Sequence, residues 1–270
     1  MTSEKFDLYL KTFVNLYGVI DSESAFDIIS SFDKQYKKEE FIQELKKLND
    51  ERYCHFYAVT KSTDENVFII ASECFFFCSK NPGQEIDNLI DEKKDLDYFK
   101  TETEKQYLKY ADEFFYDNHP MMQDILKRID SVMSENTIML PIDIFGDING
   151  MCVQHYEPDI DLILCDLKRM RVKVNKKTIN TVLEIIYDVD YITHKWHLNG
   201  LTKELEDLIH CFTCDLQGYF HLSDEFKNEI LSGQVDYDAV LNNIKNNFSG
   251  NQLKLLINEI ESLIDKNKLN

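Results

Sequence analysis

Apolar side chains recur every three to four residues through the first part of the chain. This spacing places them on one face of an α-helix, and it predicts helices over about 5–16, 22–32 and 38–48. The pattern then changes to β-branched and aromatic runs at 52–60 and 67–72, which the polar stretch KSTDEN separates. Two such runs around a polar turn predict a β-hairpin.

Three helices followed by a hairpin is the order of a winged helix, so we predict a winged-helix-like module over residues 1–80. In DNA-binding modules of this kind the third helix enters the major groove. Here that segment, 37–48, carries four lysines, three glutamates and no arginine. Because phosphate contacts need a surplus of positive charge, this helix favours a protein contact over DNA.

The middle of the chain is acidic and helical in pattern. Residues 84–117 contain eleven acidic residues and five lysines. Thr101 and Glu104 have the spacing of a capping box before an aromatic-rich helix, and 119–133 has the pattern of a helix with Pro120 in its first turn. We therefore predict an acidic helical region over 84–135.

Residues 137–151 are the least regular stretch, since Pro141, Gly146 and Gly150 interrupt it. They predict a linker over 136–157 and a C-terminal helical domain over 158–270. The predicted fold class is therefore α+β and predominantly α-helical, with the N-terminal winged-helix-like module followed by helical domains.

The formal net charge of the protein is −19, and arginine occurs only four times. Nucleic-acid-binding proteins neutralise phosphates with Lys and Arg, so this balance argues against direct nucleic-acid binding. An acidic protein can instead dock on a basic surface of a partner protein, such as a nucleic-acid channel. The alternative is that the charge only confers solubility.

One basic run interrupts this acidity. Residues 168–177, KRMRVKVNKK, carry six positive charges and no negative ones. They either balance acidic neighbours at a helix end or contact a phosphate or an acidic partner. For the second interpretation the candidate contact residues are Lys168, Arg169, Arg171 and Lys173.

The segment THKWHLNGLTKEL, 193–205, contains the only tryptophan of the chain. Gly200 suits the left-handed position after a helix end, and Thr202 suits the N-cap of a following helix. We therefore interpret the segment as a structural joint in which the indole wedges two helices together. Its polar neighbours could still face a partner, so the candidate partner-binding residues here are Lys195, Trp196, His197 and Asn199.

Two cysteine pairs raise the possibility of zinc. Cys211 and Cys214 have C-x-x-C spacing, Cys74 and Cys78 form a second close pair, and a structural zinc site needs four ligands. The first pair falls in a predicted helix and the second is separated by three phenylalanines, which favours core cysteines. We expect no cofactor, with zinc on these four cysteines as the alternative.

The sequence shows no pattern typical of catalysis. It contains no G-x-S-x-G and no glycine-rich phosphate loop, and DIFGDING at 143–150 lacks the twelve-residue pattern of a calcium loop. We therefore expect a protein that is not an enzyme. The start of the chain lacks the regions of a signal peptide, and no apolar run is long enough to span a bilayer. These features predict a cytoplasmic protein.

Several stretches resemble an uncharacterised protein group of low-GC Gram-positive bacteria, their phages and mobile elements. They are FVNLYGVIDSESAFDII (13–29), LKYADEFFYD (108–117) and DYITHKWHLNGLTKEL (190–205). The last keeps the order of Thr193, Trp196, Asn199, Gly200 and Thr202, but it has Lys195 where the group has arginine. Some members carry a C-terminal SEC-C zinc motif, whose cysteines are missing here. The resemblance implies a bacterial, phage or mobile-element setting.

Together these features predict a non-enzymatic, acidic protein-interaction module. In its concrete form it is a phage or mobile-element inhibitor, anti-CRISPR-like, of a nucleic-acid-handling system in antiviral defence. The alternatives are a winged-helix DNA-binding regulator, with residues 1–80 and the run 168–177 on DNA, and a zinc-binding protein.

Overall fold

The structure is a computed structural model, and it separates into two compact units, Met1–Lys203 and Glu204–Asn270. It describes residues 1–51, 56–62, 67–94, 96–112, 115–116, 119–135, 137, 139–154, 158–214, 220–232, 234–235, 240–241, 244 and 250–268. The protein is mostly helical with a small antiparallel sheet, so the predicted α+β class is confirmed.

The first part of unit 1 alternates helices and short strands. Its elements, in chain order, are α1 (Ser3–Tyr17), β1 (Val19–Asp21), α2 (Ser22–Phe32), α3 (Lys38–Glu51), β2 (Tyr57–Lys61) and β3 (Phe68–Ser72). The predicted helices and hairpin strands lie where the apolar spacing placed them; residues 52–55 and the turn residues 63–66 lie outside the described residues. Asp21 caps α2, because its side chain accepts hydrogen bonds from the backbone N–H groups of Glu23 and Ser24.

The three strands form one antiparallel sheet in the order β1-β3-β2. Val19 pairs with Ala71 on one side of β3, and Ala58 pairs with Ala71 on the other. The aromatic side chains of α1, including Tyr9, Phe13 and Tyr17, are fully buried in the core that this sheet shares with α2 and α3. Burial of such large side chains is the main stabilisation of this half of the unit.

The rest of unit 1 is helical. Its helices are α4 (Cys74–Cys78), α5 (Pro82–Lys93), α6 (Glu104–Tyr107), α7 (Met122–Val132), α8 (Pro141–Val153), α9 (Ile160–Arg169) and α10 (Ile179–Ile192). The apolar faces of α7 to α10 meet in a second core that includes Ile125, Ile144, Ile163 and Ile186.

Two predictions for this region are wrong. The predicted linker 136–157 contains α8, since Pro141 occupies a first-turn position where its missing N–H costs nothing, and Gly146 and Gly150 lie within the helix. The predicted cap at Thr101 is also wrong. Thr103 caps α6 instead by accepting from the N–H of Gln106, and the aromatic segment continues as a 3-10 turn, Leu108–Ala111, rather than a long helix.

Helix α11 (Lys203–Cys211) begins at the last residue of unit 1, and the rest of it belongs to unit 2. The other elements of unit 2 are β4 (Phe212–Cys214), β5 (Phe220–Leu222), α12 (Asp224–Ser232) and α13 (Gly250–Lys268). The helix that was predicted to contain both Cys211 and Cys214 ends at Cys211, because Phe212 and Cys214 pair with Leu222 and Phe220 in a two-stranded antiparallel sheet. The predicted domain starting at 158 is likewise corrected, since the described division falls between 203 and 204. No described helix is long and apolar enough to cross a membrane.

The assignment of α8 to the core generates a stability prediction. Ile144 is 1% exposed and Leu140, just before the helix, is 62% exposed. Ile144→Ala leaves a cavity and is expected to lower the free energy of unfolding by about 2–5 kcal/mol. Leu140→Ala, a deletion of similar size at the surface, is expected to change it by about 0.5 kcal/mol or less. Urea unfolding followed by circular dichroism measures both; equal effects would contradict a buried α8.

Candidate functional site

The segment between α10 and α11, residues 193–202, forms a closed loop that we call the connector. Its backbone folds back on itself, because Lys195 N–H donates to Leu201 O at 3.0 Å and Gly200 N–H donates to Lys195 O at 2.9 Å. A 3-10 turn, Trp196–Leu198, lies inside this closure and ends at Asn199 in the left-handed conformation. The closure directs several connector side chains into the interior of unit 1.

Trp196 is the contact between the connector and the end of α1. Its ring lies against Gly18, where a Cβ atom would lie only 2.3 Å from the indole Cδ2. Phe75 of α4 stacks on the ring at a centroid distance of 5.4 Å. The indole Nε1–H donates to the backbone oxygen of Asn15 at 3.1 Å, so the polar group of a buried ring is satisfied.

Gly200 makes a second close approach to the same helix end. Its φ of +78° lies in the left-handed region, and a Cβ atom there would lie 2.8 Å from Cε1 of Tyr17 and 3.3 Å from the backbone oxygen of Leu16. The predicted left-handed role of Gly200 is confirmed. Gly18, with a φ of +69°, makes the reciprocal approach on α1, so each segment places a glycine against an aromatic ring of the other.

Asn199 links the connector to the end of α5, and the Lys93 side chain links α5 to the end of α1 and to β1. Asn199 Nδ2 donates to the backbone oxygens of Lys93 and Leu96, at 3.0 and 2.8 Å. Lys93 Nζ donates to the backbone oxygens of Tyr17 and Val19, both at 2.7 Å. Burial lowers the pKa of Lys93 to about 7, although Asp21 acts in the opposite direction. A neutral amine still has two N–H groups, which are enough for both carbonyl oxygens.

A buried group of charges holds the beginning of the connector. Lys195 is fully buried, and its Nζ donates to Asp190 of α10 and, at 2.7 Å, to the backbone oxygen of Cys152. Lys203, at the start of α11, contacts the other carboxylate oxygen of Asp190 at 2.7 Å. Burial lowers the pKa of Lys195, while its contact with Asp190 acts against that shift. One carboxylate thus serves two ammonium groups.

Neighbouring titratable groups respond to these lysines and to burial. Burial, together with Lys195 and Lys203, lowers the pKa of His197 to about 4, so the imidazole is neutral at physiological pH. Burial raises the pKa of the Cys152 thiol to about 12, an effect that Lys195 opposes. A thiol with such a pKa is protonated and a poor nucleophile. The thiol therefore lacks the thiolate form that nucleophilic attack needs, and an imidazole with a pKa of about 4 is a weak general base at neutral pH.

The structure therefore places Lys195, Trp196, His197 and Asn199 in the interior of the unit. Each is at most 7% exposed, and the contacts of Lys195, Trp196 and Asn199 described above lie within the chain. A partner could reach them only if the connector opened, so these four residues form a structural joint in this structure rather than a contact surface. The interpretation of 193–205 as a joint agrees with this placement.

Sequence reasoning missed the other half of this joint, namely Lys93, Asp190 and Lys203. A signal for Lys93 exists, because Ile86, Leu89 and Ile90 precede it at helical spacing and place Lys93 on the apolar face of α5. A lysine on such a face is a candidate for a buried amine. For Asp190 no comparable signal exists, since its role depends on Lys195 and Lys203 folding back over it.

The other candidate cations lie at the surface. Lys168, Arg169, Arg171 and Lys173 are all exposed, as are Lys176 and Lys177, and we call residues 168–177 the basic loop. Arg169 pairs with Asp166 at 2.7 Å within α9. Lys168, Lys173, Lys176 and Lys177 make no ion pair with any residue that the structure describes. The basic loop is therefore accessible to a charged ligand.

The exposed side of α5 carries the opposite charge. Glu85, Asp87, Asp91 and Glu92 are exposed, and within the described part of the chain none of them has an ion-pair partner. We call these four carboxylates the acidic face of α5. Lys93 lies among them in sequence but is buried, so it adds no cation to this face.

The cysteines proposed as alternative zinc ligands fall in different units. Cys74 is a half-buried cysteine of unit 1, and Cys211 is a half-buried cysteine of unit 2. The side chains of Cys78 and Cys214 lie outside the described residues. Among the residues that are described, no group of three or more His, Cys, Asp or Glu side chains is arranged to hold a metal ion.

No protein-family model matches the chain, and neither the curated proteins nor the solved structures give a significant match.

The close approach of Gly18 to Trp196 generates a stability prediction. Gly18→Ala introduces a Cβ at a positive φ and against the indole, and it is expected to lower the free energy of unfolding by about 3 kcal/mol. Gly83 is a matched control, because nothing lies within 4 Å of its Cβ position and it is in α5. Gly83→Ala is expected to stabilise the protein by about 0.5 kcal/mol. Chemical denaturation measures both, and a tolerated Gly18→Ala would contradict the packing described here.

The buried amine of Lys93 generates a pH prediction. Its pKa is about 7 in the folded protein and about 10.4 in an unfolded chain. Between these values the unfolded chain binds a proton that the folded protein does not, so this amine makes stability rise with pH across the window.

Lys93→Met is expected to make that rise shallower by up to about 1.4 kcal/mol per pH unit. The measurement is the free energy of unfolding by urea at several pH values between about 7 and 10. Lys94→Met, at the exposed neighbouring position, is the control and is expected to leave the slope unchanged. An unchanged slope in Lys93→Met would show that the amine is charged in the folded protein.

Proposed function

We propose that the protein is a non-enzymatic interaction module that binds a basic surface of another protein through its acidic face. The observation that supports this proposal is the acidic face of α5, four exposed carboxylates without ion-pair partners among the described residues. The net charge of −19 adds a long-range attraction toward any basic partner, which raises the association rate.

A basic channel that holds nucleic acid is the partner surface that fits this charge best. Such channels present rows of Lys and Arg for phosphates, and carboxylates on a rigid helix can occupy the same positions. In the proposed role the protein is an inhibitor of a nucleic-acid-handling system in a bacterial cell, of the anti-CRISPR type, encoded by a phage or mobile element. Binding then competes with nucleic acid and weakens as salt screens the charges.

We further infer that residues 1–80 contain the winged-helix-like module. The element order helix, strand, helix, helix, strand, strand and the sheet order β1-β3-β2 support this inference. The same observation supports a second candidate function, that of a DNA-binding regulator. On α3, however, the exposed cations Lys46 and Lys47 are matched by the exposed anions Glu39 and Glu40. This balance leaves little surplus positive charge for contacts with phosphates.

The test is a charge-reversal experiment with a matched control. One variant carries Lys at Glu85, Asp87, Asp91 and Glu92. The control carries Lys at four dispersed exposed positions, Glu4, Asp27, Glu39 and Asp161, so both variants have the same net charge. Binding to purified nucleic-acid-handling enzymes, Cas effectors included, is measured by biolayer interferometry at increasing salt and with competing nucleic acid.

We expect the α5 variant to lose at least about tenfold in affinity, which corresponds to about 1.4 kcal/mol, and the control to lose much less. Binding of the unaltered protein is expected to fall with salt and with added nucleic acid. Equal losses in the two variants, or binding that ignores both salt and nucleic acid, would refute the proposal. A gel shift of duplex DNA by the unaltered protein would favour the regulator.

A further inference from the structure

The backbone of the basic loop contains an arginine in a position that normally belongs to glycine. Arg171 has a φ of +65°. Its N–H donates to Lys168 O at 3.1 Å, and the N–H of Val172 donates to Leu167 O at 2.9 Å. This pair of hydrogen bonds is the Schellman motif that ends many helices, and its left-handed residue is usually glycine, since any other side chain is strained there. The chain therefore keeps a guanidinium at a conformational cost.

The loop around Arg171 is held rigidly. Val172 is buried and forms an isolated β-bridge with Met133, and the N–H of Lys173 donates to Val132 O at 2.7 Å. A second turn follows, in which Asn175 Oδ1 accepts from the N–H of Lys177 at 2.9 Å. The exposed cations between and beside these anchors are consequently presented from a fixed backbone.

Helix electrostatics account for only part of the charge in the loop. Lys168 and Arg169 lie in the last turn of α9, where a cation stabilises the carbonyl end of a helix. Lys176 and Lys177 lie just before Thr178, the N-cap of α10, where a cation opposes the helix dipole. The helices therefore account for Lys168 and Arg169, but they do not account for Lys176 and Lys177.

We propose that the basic loop binds a compact anion that carries several phosphate groups. Arginine and lysine supply charge-assisted hydrogen bonds to phosphate oxygens, and two of the four arginines of the chain lie in this loop. The ligand is compact because the protein otherwise carries a large negative charge, which repels a long polyanion beyond the loop. No aromatic residue occurs between 168 and 177, so the loop lacks the stacking groups that single-stranded nucleic acid uses. This proposal does not depend on the acidic face of α5.

The first test measures binding of inorganic tripolyphosphate to the full chain by isothermal titration calorimetry. The loop variant is Lys168→Gln, Arg169→Gln and Lys173→Gln. The control variant replaces three exposed lysines elsewhere, Lys46, Lys94 and Lys105, by Gln. We expect tripolyphosphate to bind, the loop variant to lose at least about tenfold in affinity, and the control to lose less than about threefold.

Absence of binding at millimolar tripolyphosphate overturns the proposal, and so does an equal loss in the two variants. A short oligothymidylate is titrated at the same total phosphate concentration. Tighter binding of the oligonucleotide than of tripolyphosphate overturns the compact-anion assignment in favour of a nucleic-acid strand.

The second test uses Arg171→Gly, which separates strain from binding. Glycine removes the left-handed strain, so the thermal midpoint is expected to rise, by about 2 °C for a chain of this size. Tripolyphosphate affinity is expected to fall at the same time. A variant that gains stability and keeps its affinity overturns a role for Arg171 in the site, and one that loses stability contradicts the conformation described for the loop.

Discussion

The indole of Trp196 occupies the space beside Gly18 in which any larger residue would have its side chain. This contact joins residues that are far apart in sequence. Trp196 Nε1 also donates a hydrogen bond to Asn15 O in the same helix end. The last turn of α1 and the connector therefore pack directly on each other. Gly200 against Tyr17 repeats the arrangement in the opposite sense. Two left-handed glycines thus define how the N-terminal half of unit 1 meets α10.

Once the connector is closed, polar groups become buried and require partners. Lys93 satisfies the carbonyl oxygens at the end of α1, Asn199 satisfies carbonyl oxygens at the end of α5, and Asp190 balances Lys195 and Lys203. Removal of Asp190 leaves two lysines without their counter-charge, whereas removal of Lys93 or Asn199 leaves backbone carbonyl oxygens without a donor. These contacts fix the geometry of the joint. The polar residues that look most reactive in the sequence therefore have a structural role here.

Local sequence patterns predicted much of this fold. The features that depend on contacts between residues distant in sequence could not be predicted in this way. Apolar spacing located α1, α2 and α3, β-branched and aromatic runs located β2 and β3, and the position of Gly200 after a helical segment indicated its left-handed conformation. The sequence prediction was wrong at α8, because Pro141 and two glycines are as common in a linker as in a helix whose apolar face is buried. It also failed for Lys195, since a lysine beside a tryptophan looks exposed until Asp190 is brought to it from α10. The acidic charge was evident from composition, but its position on α5 depended on the structure.

Lys195, His197 and Asn199 are structural residues only while the joint is closed. In that closed state the candidate contact surfaces are the acidic face of α5 and the basic loop. Trp196 is the only tryptophan of the chain, so its fluorescence reports directly on the connector. The decisive measurement compares urea unfolding followed by this fluorescence with hydrogen exchange of the α1 amides of Phe13 and Val14. We expect the same opening free energy from both probes. Solvent-exposed Trp196 at urea concentrations where these amides remain fully protected would contradict the account.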